Sequence, residues 1–183
     1  HHGAVLQNDY LQMFLGDYAS ILSFFLPDIT IGAASRRSYQ SLYSVVCHEL
    51  AHASHFRKVG TKFWDKYIFY IVESYILSGG MTYGDGTGEN AGCCDVGESW
   101  AYYMEAKMFK ERYGGSFPNF GTSYWFYPQI LRYLDERGLD CSDIFSVMNA
   151  SVTDRQSLKT ALMATFPNKK TTINQAFSRY VYE

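Results

Sequence analysis

Within the run Val45-Val46-Cys47-His48-Glu49-Leu50-Ala51-His52-Ala53, two histidines stand four residues apart and a glutamate directly follows the first. On a helix, residues four apart lie above one another on the same face, so the imidazoles of His48 and His52 can turn toward one divalent metal ion, with zinc expected. Glu49 lies one step round the helix, where its carboxylate faces the open side of such an ion. There it can take a proton from a metal-activated water and pass it to a leaving amine. Two ligands and a general base are thus packed into five residues.

These side chains need a rigid helix under them. Leu42, Val45, Val46, Leu50 and Ala53 supply an apolar stripe, and neither Pro nor Gly interrupts residues 38–59 before Gly60 offers a stop. The pattern predicts a buried helix from Ser38 to Val59 with that stripe turned to the core.

The segment resembles the active-site helix of the zincin superfamily of zinc metallopeptidases, down to the small Ala51 before the second histidine. The resemblance implies a third protein ligand downstream. A metzincin motif would need glycine at the position of His55 and histidine at that of Lys58, and neither is present. His55 is therefore expected to be solvated or to support a ligand from outside.

The gluzincin branch, in which the third ligand is a glutamate on a later helix, is the better likeness. Gly97-Glu98-Ser99-Trp100-Ala101-Tyr102-Tyr103 is similar to the second motif of that branch. It implies that Glu98 is the third ligand, that Ala101 lets the two helices approach, and that Tyr102 hydrogen-bonds a ligating imidazole. Glu98 also fits a capping box with Asp95 as N-cap, a role compatible with the first. Glu73 is the alternative third ligand, although its neighbours Tyr70-Ile71-Val72 and Tyr75-Ile76-Leu77 lack a small residue. Zincins commonly stabilise the developing oxyanion with a tyrosine or histidine, for which Tyr83, Tyr124 and Tyr127 are candidates by position.

Helical blocks are expected over 6–25, 38–59, 63–78, 98–113, 125–137, 142–149, 154–165 and 172–181, with a glycine-rich interval from Gly79 to Gly97. Residues 81–90 within that interval read as a lid. Residues 27–32, Pro-Asp-Ile-Thr-Ile-Gly, read as a short edge strand ahead of the metal helix, where the resemblance places substrate pairing. The expected class is α+β, predominantly helical, as a single zincin-like domain over 1–183. With 183 residues and 47% hydrophobic content, one full core is within reach. The start at His1-His2-Gly3 reads as a tag remnant or the beginning of a fragment.

A net charge of −2, with no basic run, disfavours nucleic acid as a partner. No stretch of about 18 apolar residues marks a membrane span. Cys47, Cys93, Cys94 and Cys141 are too few for a disulfide scaffold, although one of the adjacent pair could reach Cys141.

The expected function is zinc-dependent hydrolysis of a peptide or protein substrate. The resemblance extends to secreted or surface bacterial zinc peptidases, which implies a secreted, periplasmic or surface-anchored location. The alternatives are a non-catalytic zinc-stabilised module and a zinc hydrolase acting on a non-peptide amide.

Overall fold

A computed structural model describes residues 38–78, 80 and 83–180, and over these the chain is helical, with no strand among the described residues. Seven α-helices follow one another: α1 (Tyr39–Val59), α2 (Thr61–Leu77), α3 (Ala91–Tyr113), α4 (Pro128–Asp135), α5 (Cys141–Val147), α6 (Arg155–Thr165) and α7 (Lys170–Arg179). The expected edge strand at 27–32 and helix at 6–25 lie outside the described residues.

Helix α1 has the bounds its sequence signals demand. The Ser38 hydroxyl accepts from the Ser41 amide at 3.0 Å, an N-cap contributing about 1 kcal/mol, and Gly60 ends the helix at φ 82°. The same glycine is N-cap to α2, so a single residue with left-handed freedom makes the α1–α2 corner.

The buried face of α1 differs from the expected one. Ser44, His48, Ala51, His52, His55 and Val59 are buried, whereas Leu50 is 51% exposed. Polar groups face inward here because α3 presents carboxylates and aromatic rings to them.

Helix α3 is the central element, packed against α1, α2, α4 and α6. It starts at Ala91 rather than at Glu98, so the expected loop ends early. Gly92 and Gly97 lie inside the helix, where each gives clearance to a neighbour. A Cβ on Gly92 would stand 2.5 Å from the Thr153 carbonyl oxygen, and one on Gly97 3.2 Å from the Tyr67 ring.

Asp95 is accordingly a mid-helix residue and not an N-cap, which corrects the capping-box reading. It is buried, pairs with the Arg155 guanidinium and accepts from Ser99 Oγ at 3.2 Å. This ties the first half of α3 to the start of α6, itself fixed by a capping box between Asp154 and Ser157.

Farther along α3, Tyr103 and Lys107 reach Asp135 of α4 at 2.9 and 2.8 Å. Ala101, Trp100, Leu131, Leu134, Ile144, Leu158, Leu162, Ile173 and Ala176 belong to one buried cluster that joins α3 to the C-terminal helices. That cluster holds α3 rigid, and with it whatever α3 presents to α1. No described helix is long and apolar enough to cross a membrane.

Candidate metal centre

The inward face of α1 sets His48 and His52 one turn apart, with Nε2 atoms 3.0 Å from each other. Glu98, on the second turn of α3, enters between them: its Oε2 is 3.5 Å from His48 Nε2 and its Oε1 3.4 Å from His52 Nε2. Among the described residues these three form the group of His, Cys, Asp and Glu side chains that could hold a metal ion, with donor atoms within 4.8 Å of one another. Donors on a tetrahedral zinc at about 2.0–2.1 Å stand about 3.3–3.4 Å apart, close to the separation of each histidine from its nearer Glu98 oxygen, while the two imidazole nitrogens stand closer, at 3.0 Å. All three residues are buried.

A second observation points the same way. Glu98 Oε2 is buried and has no hydrogen-bond partner, an arrangement costly for a carboxylate unless a cation completes it. Burial alone would raise the pKa of Glu98, but the positive fields of His52 and His48 hold it well below the usual carboxylate range. The carboxylate is therefore ionised and available as a ligand.

The support around the two histidines is unequal. His48 Nδ1 lies 3.1 Å from Glu105 Oε2, and the other oxygen of Glu105 accepts from the Ser44 hydroxyl. A carboxylate on Nδ1 fixes the tautomer that leaves Nε2 to bind metal, and it raises the basicity of the ring. Burial alone would lower the pKa of His48, but Glu105 and Glu98 at its two nitrogens raise it to about 10. His52 has no such support: its Nδ1 is buried without a partner, and its ring meets Trp64 edge-on at 5.4 Å. Tyr67 of α2 donates instead to Glu98 Oε1.

Glu105 was not anticipated in the sequence, and Tyr102 does not have the role expected of it. The Tyr102 ring packs on His48 at 4.5 Å and 65°, and its hydroxyl bonds neither imidazole. Helical geometry explains the exchange. A residue seven after Glu98 returns to nearly the same face two turns on, where it meets His48 from the Nδ1 side. That spacing, together with Ser44 one turn before His48, was the available signal.

Glu73 does not join the group. It lies seven residues after exposed Lys66 and four after exposed Phe69, on the outer side of α2, while Tyr67, Tyr70 and Ile71 face inward. His55 is fully buried, with both ring nitrogens unpartnered between Phe63 and Trp64, so it is neither solvated nor a support for a ligand. Burial and the neighbouring His52 push its pKa down to about 3.

Glu49 is half-buried and makes no hydrogen bond, and its charge is felt by both His48 and Tyr102. Burial raises its pKa, while His52 and His48 oppose the rise. Glu49 thus lies within electrostatic reach of His48 and His52 without joining the His48-His52-Glu98 group.

The three tyrosine candidates separate in space. Tyr83 and Tyr124 join Tyr102 in one aromatic cluster: Tyr124 stacks on Tyr102 at 6.1 Å and meets Tyr83 edge-on at 5.0 Å. Burial raises the pKa of Tyr83 well above the usual value, and the charge of Glu98 raises it further, so its hydroxyl stays protonated as a donor. Its backbone is held from two sides, the carbonyl accepting from Tyr70 Oη at 2.9 Å and from Trp125 Nε1 at 2.8 Å. Tyr127 lies under Arg155 and beside Tyr180.

The cysteines are free: Cys93 and Cys94 are buried in α3, and neither is bonded to Cys141. Compared with protein-family models, with curated proteins and with solved structures, the chain matches none.

Proposed function

We propose that the chain is a zinc-dependent peptidase of zincin-like, gluzincin type, in which His48, His52 and Glu98 hold the ion and Glu49 is the general base. The observation that carries this reading is the buried His48-His52-Glu98 group with an unligated carboxylate, Glu49, beside it. A bound zinc ion would supply Lewis acidity toward a scissile carbonyl and toward water.

The protein groups divide the remaining work. Glu49 accepts the proton of the attacking water at its carboxylate and delivers it to the departing nitrogen, a contribution of about 10²–10⁴ in rate. Glu105, through Nδ1 of His48, keeps Nε2 directed at the ligand position. Tyr83 or Tyr124 is the donor proposed for the oxyanion, with Tyr83 favoured because its backbone is held at two points. A purely structural metal site would gain nothing from a free carboxylate at its edge, which weighs against the non-catalytic alternative.

The test is Glu49→Gln in zinc-loaded protein with a mixed peptide library as substrate. The variant is expected to keep stoichiometric zinc and lose at least about 10²-fold in cleavage rate. Cleavage at the wild-type rate would remove Glu49 from the mechanism.

A further inference from the structure

Tyr67 is the one residue of α2 whose hydroxyl bonds a member of the metal group, donating to Glu98 Oε1. Its side chain is set by packing on three sides: Trp64 at 4.5 Å, the ring of His52 at 6.1 Å, and Gly97, where even a Cβ would stand 3.2 Å from the Tyr67 ring. Glu98 Oε2 has no hydrogen bond. The two oxygens of one carboxylate are thus made unequal by a single neighbour.

We infer that Tyr67 is a positioning residue that makes Glu98 a one-oxygen metal ligand, binding through Oε2 and leaving a coordination position open for water and substrate. The inference rests on the metal reading proposed above. A hydrogen bond from a phenol withdraws electron density from Oε1 and occupies one of its lone pairs, which weakens a second bond from that oxygen to metal. Oε2 keeps its full basicity and is the oxygen nearest His48 Nε2. Without the phenol the two oxygens become equivalent. Glu98 can then bind through both, filling the position that a catalytic site keeps free.

Gly97 belongs to the same device. It lies directly before Glu98 on α3, and its missing side chain is what lets the Tyr67 ring approach.

Two variants test this, each read without reference to turnover. Tyr67→Phe keeps the ring and removes only the O–H; Gly97→Ala keeps the O–H and pushes the ring away. Zinc affinity is measured by chelator competition, and the coordination number by the visible spectrum of the cobalt(II)-loaded protein, whose bands are strong for four ligands and weak for five or six. Tyr67→Phe is expected to lose cobalt band intensity, because the second Glu98 oxygen raises the coordination number, and to bind zinc more tightly, with Gly97→Ala changed in the same sense but less.

Wild-type affinity and spectrum in Tyr67→Phe would overturn the inference and leave the metal site standing. Should that variant fail to fold by circular dichroism, wild-type behaviour of Gly97→Ala would overturn it in the same way. A folded wild type that takes up neither zinc nor cobalt would overturn the metal reading and this inference together.

Discussion

The buried face of α1 carries two kinds of histidine within two turns, and they have opposite chemistry. At one end His48 and His52 meet the carboxylates of Glu98 and Glu105 from α3. At the other, His55 meets Phe63 and Trp64 from α2, and neither of its nitrogens has a partner. The pKa values diverge accordingly, to about 10 for His48 and about 3 for His55, although both rings are buried on the same helix. Burial acts in the same direction on both. The difference lies in what the facing helix offers, and only the end opposite α3 is equipped for a cation.

The comparison breaks first at Glu98. Replacing it by Ala removes the oxygen donor proposed for the metal and the charge that favours a cation between the two imidazoles, making this end of the face resemble the His55 end. Glu98→Ala is expected to lose stoichiometric zinc by elemental analysis while circular dichroism reports a folded chain. Glu73→Ala is expected to retain it, because Glu73 lies on the outer side of α2. Zinc lost from Glu73→Ala and kept by Glu98→Ala would reverse the assignment of the third ligand.

His55 is where the contrast can be sharpened. Its pKa in the folded chain, about 3, lies below the ordinary 6.5, so the unfolded chain takes up a proton at higher pH than the folded one. The stability that depends on a neutral His55 is therefore complete above pH 6.5 and is lost as pH falls through about 3, amounting to at most about 5 kcal/mol. His55→Leu removes the titrating group and two unpartnered nitrogens. It is expected to stabilise the protein by about 1–3 kcal/mol at pH 7 and to unfold at lower pH than wild type, read from urea titrations across pH 3–7. A variant less stable than wild type at every pH would mean that His55 has a partner role at this site.

Much of this was legible in the sequence, and what was hidden has physical reasons. Ser38, Gly60 and the uninterrupted run between them define α1, because caps are local and act through adjacent backbone. The place of Glu98 beside His48 and His52 was legible because its motif keeps the glutamate and a small residue within one turn. Glu105 was not, since its role depends on meeting a different helix two turns farther on. The first two turns of α3 were obscured because Gly92 and Gly97 look like breakers in isolation, while in the fold each admits a neighbour that any side chain would displace. The apolar stripe of α1 pointed to the wrong face for a related reason. Hydrophobic pattern assumes that the core is apolar, and here α3 carries Glu98 and Glu105 into it. Edge strand and first helix fall outside the described residues.

The smallest expected effect tests whether Glu105 is what separates His48 from His55. Glu105→Gln keeps the shape of the side chain and removes its charge from His48 Nδ1. Two consequences then oppose each other. The imidazole is a weaker, less firmly oriented ligand, which lowers zinc affinity by about 10–100-fold once the ring is neutral. The same charge also holds a proton on metal-free His48, with a pKa of about 10, and zinc must displace that proton to bind. Below pH 10 the wild type bears this competition more heavily than the variant, because the variant surrenders its proton at lower pH. The affinity gap should therefore be widest near pH 9–10 and narrow toward pH 7, and calorimetry in buffers of different ionisation enthalpy should show less proton release on zinc binding to the variant. A gap that is constant with pH would mean that Glu105 orients His48 without setting its charge, and the divergence between the two ends of the face would then rest on Glu98 alone.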